Sequence, residues 1–181
     1  MALMILAHPD ISASIANKTI SERVKEYHPE LEIRNIFEQS KNYHFDVKNE
    51  QEALLRHELI ILQFPMYWYN MPAILKGWID QVFTYQFAYG SNGNKLRGKF
   101  LMPSITIGQS KENFENKGVS IIDSLLLPLK KTAEYSGMKY LQPELLFDIS
   151  TVTGHSHEEI QTAAQAHSAK ITSIISKFSD H

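Results

Sequence analysis

Three short polar or aromatic segments of this sequence each follow an apolar run, and their residue types suit the binding of a ligand. The first segment extends from His8 through Ser12 and Ser14 to Asn17. Hydroxyl, amide and imidazole groups beside the start of a helix, where free backbone N–H groups carry partial positive charge, are suited to hold a phosphate. Ser12 or Ser14 would serve equally well as an ordinary helix cap, and the glycines of a dinucleotide fingerprint or a P-loop are missing. The residues of this segment therefore leave both interpretations open.

The second segment, residues 64–72, contains three consecutive aromatic residues, Tyr67, Trp68 and Tyr69. Loop residues lie at the surface, where large aromatic side chains are unfavourable unless they cover a ligand or another subunit. A flat ring system could lie against this loop, with backbone N–H groups reaching its carbonyls and ring nitrogens. A dimer interface is the alternative, because interfaces are also rich in aromatic residues. The two interpretations are compatible with each other.

The third segment, residues 106–110, contains Gly108 between polar neighbours. Glycine permits a close approach of the backbone to a ligand, and Thr106 and Gln109 can donate hydrogen bonds to it. An ordinary turn would have the same composition, so this segment indicates a site only in combination with the other two.

The composition excludes several other kinds of chemistry. The 181 residues carry a formal net charge of −2, which does not fit a protein that binds the nucleic acid backbone. The lack of cysteine excludes disulfides, thiolate metal centres and a cysteine nucleophile. His155 and His157 form a pair without a third ligand, so we expect a solvated loop and no metal site. The opening apolar run is too short for a signal peptide or a membrane span, and it predicts a buried first strand in a cytoplasmic protein.

The elements that must position the three segments follow from the alternation of short apolar runs with amphipathic stretches. This alternation is typical of a parallel sheet with helices on both faces, here in one domain over residues 1–181. We predict strands at residues 3–7, 31–37, 59–64, 100–107 and 140–147. We predict helices at residues 14–27, 72–83, 121–135 and 156–177, a short helix that ends near residue 57, and an irregular stretch at 39–49. Ligands bind such sheets at the carboxyl ends of the strands, so the three segments should meet at one edge.

The sequence resembles the flavodoxin-like NAD(P)H:quinone oxidoreductases in residues 8–17, 64–69, 72–83 and 87–90. The block at 65–83 is highly specific, and the similarity spans nearly the whole chain. Within the family the chain most resembles small bacterial members, which include ancillary subunits of glutathione-gated potassium efflux systems. The resemblance implies a five-stranded parallel sheet of order 2-1-3-4-5 and a homodimer with a flavin at each subunit interface.

The resemblance also implies which residues hold the flavin. The residues that it places at the flavin phosphate are His8, Ser14, Ile15, Ala16 and Asn17. Those that it places along the isoalloxazine are Pro65, Met66, Tyr67, Trp68 and Tyr69, followed by Thr106, Gly108 and Gln109. Tyr67 and Trp68 would shape the slot in which NADPH or NADH and the acceptor react. FMN is favoured over FAD because the chain is short and has no obvious adenosine-binding extension.

The sequence departs from the family pattern at two positions that matter for the reaction. The quinone reductases place a Tyr and a His after the glycine loop, and this chain has Phe114 and Ser120 instead. We favour a ping-pong oxidoreductase that passes two electrons to a quinone-like acceptor. The alternative is a flavin- and nucleotide-binding regulatory subunit of a glutathione-gated potassium efflux transporter, at the inner face of the membrane. A one-electron carrier like flavodoxin ranks last, because such carriers are strongly acidic.

Overall fold

The computed structural model of the protein describes residues 1–116 and 119–178. Its strands are β1 (Ala2–Leu6), β2 (Glu32–Asn35), β3 (Leu59–Pro65), β4 (Phe100–Thr106), β5 (Glu115–Asn116), β6 (Val119–Ser120), β7 (Lys139–Tyr140) and β8 (Glu144–Leu146). Its helices are α1 (Ile15–Tyr27), α2 (Ile36–Gln39), α3 (Val47–Arg56), α4 (Ala73–Val82), α5 (Ile122–Tyr135) and α6 (His157–Ser176). Most of these elements lie within two residues of the predicted bounds.

The main sheet is parallel, with the strand order β2-β1-β3-β4-β7 and with β8 also paired to β4. This confirms the predicted flavodoxin-like order 2-1-3-4-5. Every residue of β1 and β3 is buried, as expected for central parallel strands with both faces covered by helices. The pair β5–β6 is antiparallel and lies outside the main sheet.

The fifth strand was predicted as one run over residues 140–147, and this prediction was wrong in detail. The run is divided into β7 and β8, and both pieces pair with β4. Leu101 pairs with Tyr140 and Ser104 with Glu144, so one extra residue is accommodated opposite β4. Pro143 lies in this interruption, and proline has no N–H to donate to a neighbouring strand.

The segment after β2 also differs from its prediction. The second strand ends at Asn35, whose side chain accepts a hydrogen bond from the Phe37 N–H and starts α2. Helix α3 begins inside the stretch that was predicted to be irregular, because Asp46 caps it by accepting from the Asn49 N–H. A side-chain cap sets the first residue of a helix, whereas hydrophobic periodicity indicates only that a helix is present over several turns.

Apolar side chains form two cores on opposite faces of the sheet. One core lies under α1 and α6, and the other lies under α3, α4 and α5. Trp78 lies on the apolar face of α4 and is completely buried in the second core. Ser156 and Glu159 form a capping box at the start of α6. None of the helices in the described ranges is long and apolar enough to cross a membrane.

Candidate functional site

The three segments meet at the carboxyl edge of the sheet, because β1, β3 and β4 are neighbours in it. They enclose a cavity of about 350 Å³, which we call the polar cavity. Its lining comprises His8, Ala13, Ser14, Ile15, Ala16, Asn17, Pro65, Met66, Tyr67, Thr106, Gly108, Ile149, Ser150, Thr151 and Ile160. The lining contains no Asp, Glu, Lys or Arg, so its polar groups are all uncharged or weakly basic.

A second cavity of about 320 Å³, the aromatic cavity, adjoins the first. It is lined by Met66, Trp68, Tyr69, Ile107, Gly108, Gln109 and Phe114. Met66 and Gly108 line both cavities, so the two cavities lie side by side. Every residue that the sequence nominated for cofactor binding lines one cavity or the other.

The start of α1 supplies hydrogen-bond donors to the polar cavity. Ser14 is the N-cap, and its Oγ accepts from the backbone N–H of Asn17 at 3.2 Å and from Asn17 Nδ2 at 3.1 Å. The N–H groups of Ile15 and Ala16 stand at the first two helical positions, where no preceding turn can accept from them. Ser14 is therefore a helix cap that also leaves its own hydroxyl proton available to a ligand.

Ser12 and Asp10 form the turn before α1 and do not line the cavity. The Asp10 carboxylate accepts from the Ser12 hydroxyl and from the backbone N–H groups of Ser12 and Ala13. These bonds lower the pKa of Asp10, and the bond from the Ser12 hydroxyl makes the largest contribution. Ser12 is thus a turn residue, and the sequence alone could not separate it from Ser14.

His8 faces the polar cavity as a neutral donor. Its Nδ1 accepts a hydrogen bond of 3.1 Å from the backbone N–H of Asp10. Burial lowers the pKa of His8 below its ordinary value, which favours the uncharged ring. With Nδ1 acting as acceptor, the ring proton resides on Nε2, which can donate to a ligand.

A buried set of polar side chains, the amide network, joins the first turn of α1 to β3 and to the end of β4. The network comprises Gln63, Asn17 and Thr106. Gln63 Nε2 donates to Asn17 Oδ1 at 2.9 Å, and Asn17 Nδ2 donates to Thr106 Oγ1 at 3.0 Å. Sequence reasoning missed Gln63, although a polar residue inside an apolar strand was a signal that could have found it.

The aromatic segment forms a tight turn with an unusual backbone. Tyr67 and Asn70 exchange backbone hydrogen bonds of 2.9 and 3.0 Å, while Trp68 and Tyr69 have φ angles of 48° and 63°. These values describe a type I′ turn, which normally contains Asn or Gly at its centre because bulky residues are strained there. Trp68 is 95% exposed. The backbone strain and the exposed aromatic ring occur at the same place, beside both cavities.

The sequence matches a family model described as a flavodoxin-like fold over residues 2–171. The chain is also 40% identical to the uncharacterized NAD(P)H oxidoreductase YrkL of Bacillus subtilis, over 77% of this chain and 80% of YrkL. The chain belongs to the flavodoxin-like NAD(P)H oxidoreductases. This confirms the family that the motifs indicated.

Two further members of the family indicate the range of roles within it. One is the glutathione-regulated potassium-efflux system ancillary protein KefF of Enterobacter, at 41% identity over 79% of this chain and 81% of KefF. The other is general stress protein 14 of Treponema denticola, whose crystal structure was determined in complex with FMN. It superimposes with a TM-score of 0.84 at 29% identity and covers 95% of this chain and 98% of that one.

The two departures from the family's quinone reductases lie in different surroundings. Phe114 is buried against the aromatic cavity, with its ring 5.9 Å from that of Tyr69 and 5.7 Å from that of Phe147. Ser120 is exposed, and its Oγ accepts from the Ile122 N–H at the start of α5. Phe114 therefore contributes an apolar wall, whereas Ser120 lies outside the lining of either cavity.

The loop after β8 is a fourth part of the site in this family member, and sequence reasoning missed it. Ile149, Ser150 and Thr151 from this loop line the polar cavity. A Cβ placed on Gly108 would lie 3.2 Å from the Ser150 Cβ, so the glycine permits the two loops to pack closely. No motif marks the loop, because its place beside Gly108 follows from the sheet order.

His155 and His157, the pair considered for a metal, lie at the start of α6. The His155 ring is 3.8 Å from the Asp148 carboxylate. Within residues 1–116 and 119–178, no group of three or more His, Cys, Asp or Glu side chains could hold a metal ion.

Proposed function

We propose that the protein binds FMN and transfers two electrons from NADPH or NADH to a quinone-like acceptor. The observation that carries the proposal is the pair of adjoining cavities, of which one is lined by hydrogen-bond donors at a helix N-terminus and the other is aromatic. A phosphate-bearing flavin matches these two halves. Its phosphate would occupy the polar cavity, and its ring system would occupy the aromatic one.

The polar cavity supports the binding of a phosphate by neutral donors. The Ser14 hydroxyl, the Nε2 proton of His8 and the N–H groups of Ile15 and Ala16 would donate to it, while the helix dipole adds partial positive charge. Asn17 would hold Ser14 in position. The lining has no carboxylate that would repel an anion. FAD is less well supported, because its adenosine would have to extend beyond the described cavities.

The aromatic cavity supports the binding of a flat ring. Backbone groups from Pro65 to Tyr69 and from Thr106 to Gln109 would contact the ring edge. The bound flavin supplies the hydride chemistry, and the protein supplies position and polarity. Tyr67 and Trp68 stand at the rim and would shape the slot for the nicotinamide and, in the next half-reaction of a ping-pong cycle, for the acceptor.

A homodimer would cover a second apolar surface of the molecule. A groove of about 320 Å³ between α4 and α5 is lined by Met71, Phe83, Tyr89, Leu129 and Tyr135, among others. Tyr135 is 76% exposed in the single chain. Exposed aromatic residues around an apolar groove are typical of protein interfaces, which supports the dimer that the family resemblance implies.

The second candidate function is a regulatory subunit of a glutathione-gated potassium efflux transporter. Its support is the similarity to KefF together with the apolar Phe114, which cannot donate a hydrogen bond to a reduced flavin. In this role the protein would act in the cytoplasm at the inner face of the membrane. It would bind flavin and nucleotide mainly to report the redox state to its partner.

An anaerobic visible spectrum of the FMN-reconstituted protein tests the proposal. Addition of NADPH, or of NADH in a parallel sample, should bleach the oxidised flavin bands, and a quinone added afterwards should restore them. Bound flavin that stays oxidised with both nucleotides would contradict the enzymatic role. Co-purification with a potassium efflux transporter would then decide for or against the regulatory role.

A further inference from the structure

Gln63 is a buried amide whose position calls for an explanation. It is the only polar residue in the run 59–64, and none of its surface is exposed. Its Nε2 donates to Asn17 Oδ1 at 2.9 Å, and its Oε1 has no hydrogen-bond partner. A buried polar atom without a partner is unfavourable, since it loses its hydration and gains nothing in return. Gln63 does not itself line the polar cavity.

The bond from Gln63 determines which way the Asn17 amide faces. Because Asn17 Oδ1 is turned towards Gln63, Asn17 Nδ2 is turned towards Ser14 Oγ at 3.1 Å and Thr106 Oγ1 at 3.0 Å. The Thr106 hydroxyl can rotate to donate or accept, so it does not select one orientation of the amide.

The orientation of Asn17 in turn determines what Ser14 can offer. A serine hydroxyl has two acceptor lone pairs and one proton. Ser14 Oγ already accepts from both the backbone N–H and the Nδ2 of Asn17. The hydroxyl can therefore form a further hydrogen bond only by donating its proton. Because Ser14 lines the polar cavity, a ligand in that cavity can accept it.

We propose that Gln63 is a positioning residue that makes the polar cavity select an anion. The inference rests on the proposed binding of FMN. Without the Nε2 donor, the Asn17 amide can turn and present Oδ1 to Ser14, which then donates its proton to Asn17 instead of to the ligand. The cavity loses a donor that only a phosphate uses, so the affinity for FMN falls while that for riboflavin, which has no phosphate, stays the same.

The test compares FMN and riboflavin binding to the purified apoprotein by titration of flavin fluorescence. In Gln63→Met the Kd for FMN should rise about tenfold, the order expected for one hydrogen bond to a charged group, and the Kd for riboflavin should stay unchanged. In a Ser14→Ala background, Gln63→Met should have little further effect, because both substitutions remove the same donated proton.

Ser104→Ala is the matched control. Ser104 is the buried residue paired with Gln63 in the β3–β4 register, and its Oγ bonds to His167 Nε2 at 2.9 Å, outside the amide network. This substitution should leave the preference for FMN over riboflavin unchanged. An equal loss of preference in Ser104→Ala and Gln63→Met would overturn the proposal, since it would indicate a general loss of packing.

Gln63→Glu decides the matter if Gln63→Met does not fold. The ionised carboxylate can only accept, so the preference for FMN, measured against the wild type at each pH, should be lost at high pH and return when the introduced carboxyl is protonated. A preference equal to that of the wild type at every pH would overturn the proposal, as would additive effects of Ser14→Ala and Gln63→Met. A wild-type protein that binds neither flavin would instead contradict the proposed function itself.

Discussion

The indole N–H of Trp78 donates a hydrogen bond of 2.9 Å to the buried carboxylate of Glu50. The same carboxylate accepts from the Arg34 guanidinium, whose remaining nitrogen bonds to Glu32. This network lies between β2, α3 and α4, where Glu50 and Arg34 are both buried. It anchors α4, the helix that directly follows the aromatic turn, so the buried charge pair supports the helix next to the rim of the candidate site.

Glu50→Ala should destabilise the protein strongly. The substitution leaves the Arg34 charge and the Trp78 N–H without their buried partner, and breaking such a pair costs about 3–5 kcal/mol. Urea unfolding at pH 7 measures the loss. Glu134→Gln is the control, because Glu134 pairs with Lys131 on the exposed surface, and this substitution should have little effect on the free energy of unfolding. Similar effects of the two substitutions would contradict the assigned role of Glu50.

The buried His167 should make stability depend on pH. Burial, aided by the nearby charge of Lys170, lowers the pKa of His167 to about 4, whereas the unfolded chain has the ordinary value of 6.5. Below pH 6.5 the unfolded state takes up a proton that the folded state does not, so stability falls towards pH 4 by about 1.4 kcal/mol per pH unit. In His167→Gln, where an amide can still bond to Ser104, this part of the pH dependence should disappear. Denaturant unfolding from pH 7 to pH 4 measures the free energy of unfolding of both proteins. If this free energy fell equally with pH in the wild type and in His167→Gln, the prediction would be contradicted.

Trp68→Gly should stabilise the free protein and weaken the binding of FMN. Glycine adopts the positive φ angle at little cost, and the strain removed is of the order of 1 kcal/mol. The same change removes an aromatic side chain from the aromatic cavity, so we expect FMN affinity to fall several-fold. Thermal unfolding and flavin titration measure the two opposite effects.

A second type I′ turn in the chain provides the control for Trp68. Lys41 and His44 exchange backbone bonds of 3.0 Å each, and Asn42 at the centre of that turn has a φ of 51°. Asn42 lies outside the lining of both cavities. Asn42→Gly should therefore leave FMN affinity unchanged. If Trp68→Gly also left it unchanged, Trp68 would not contact the cofactor.

Phe114→Tyr should accelerate the reduction of a quinone by the FMN-loaded protein. The new hydroxyl would stand in the wall of the aromatic cavity and would donate to the reduced flavin, the role that the family resemblance implies for a tyrosine here. One such bond is worth roughly tenfold in rate at most. Phe147→Tyr is a comparison, because Phe147 contacts Phe114 but does not line the cavity. An unchanged rate in Phe114→Tyr would mean that the lack of a tyrosine hydroxyl at this position does not limit quinone reduction.

The sequence alone determined the layout of the fold and the edge of the sheet at which the three segments meet. Alternating apolar runs fix strands and helices locally, and a parallel sheet then brings the ends of its central strands to one edge. The segments at His8, Tyr67 and Thr106 therefore came together as predicted. The sequence also indicated a helix cap in the segment 8–17, but only the structure assigned it to Ser14 and not to Ser12.

Tertiary structure decided the features that depend on distant pairing. The division of the fifth strand around Pro143 depends on how β4 accommodates an extra residue. Ser150 joined the site only because its loop packs on Gly108, and Gln63 gained its role from an amide 46 residues away. Hydrophobic periodicity indicates which face of an element is buried, but it does not indicate which buried polar side chains form hydrogen bonds with each other. Those partners are fixed only when the strands are assembled in order.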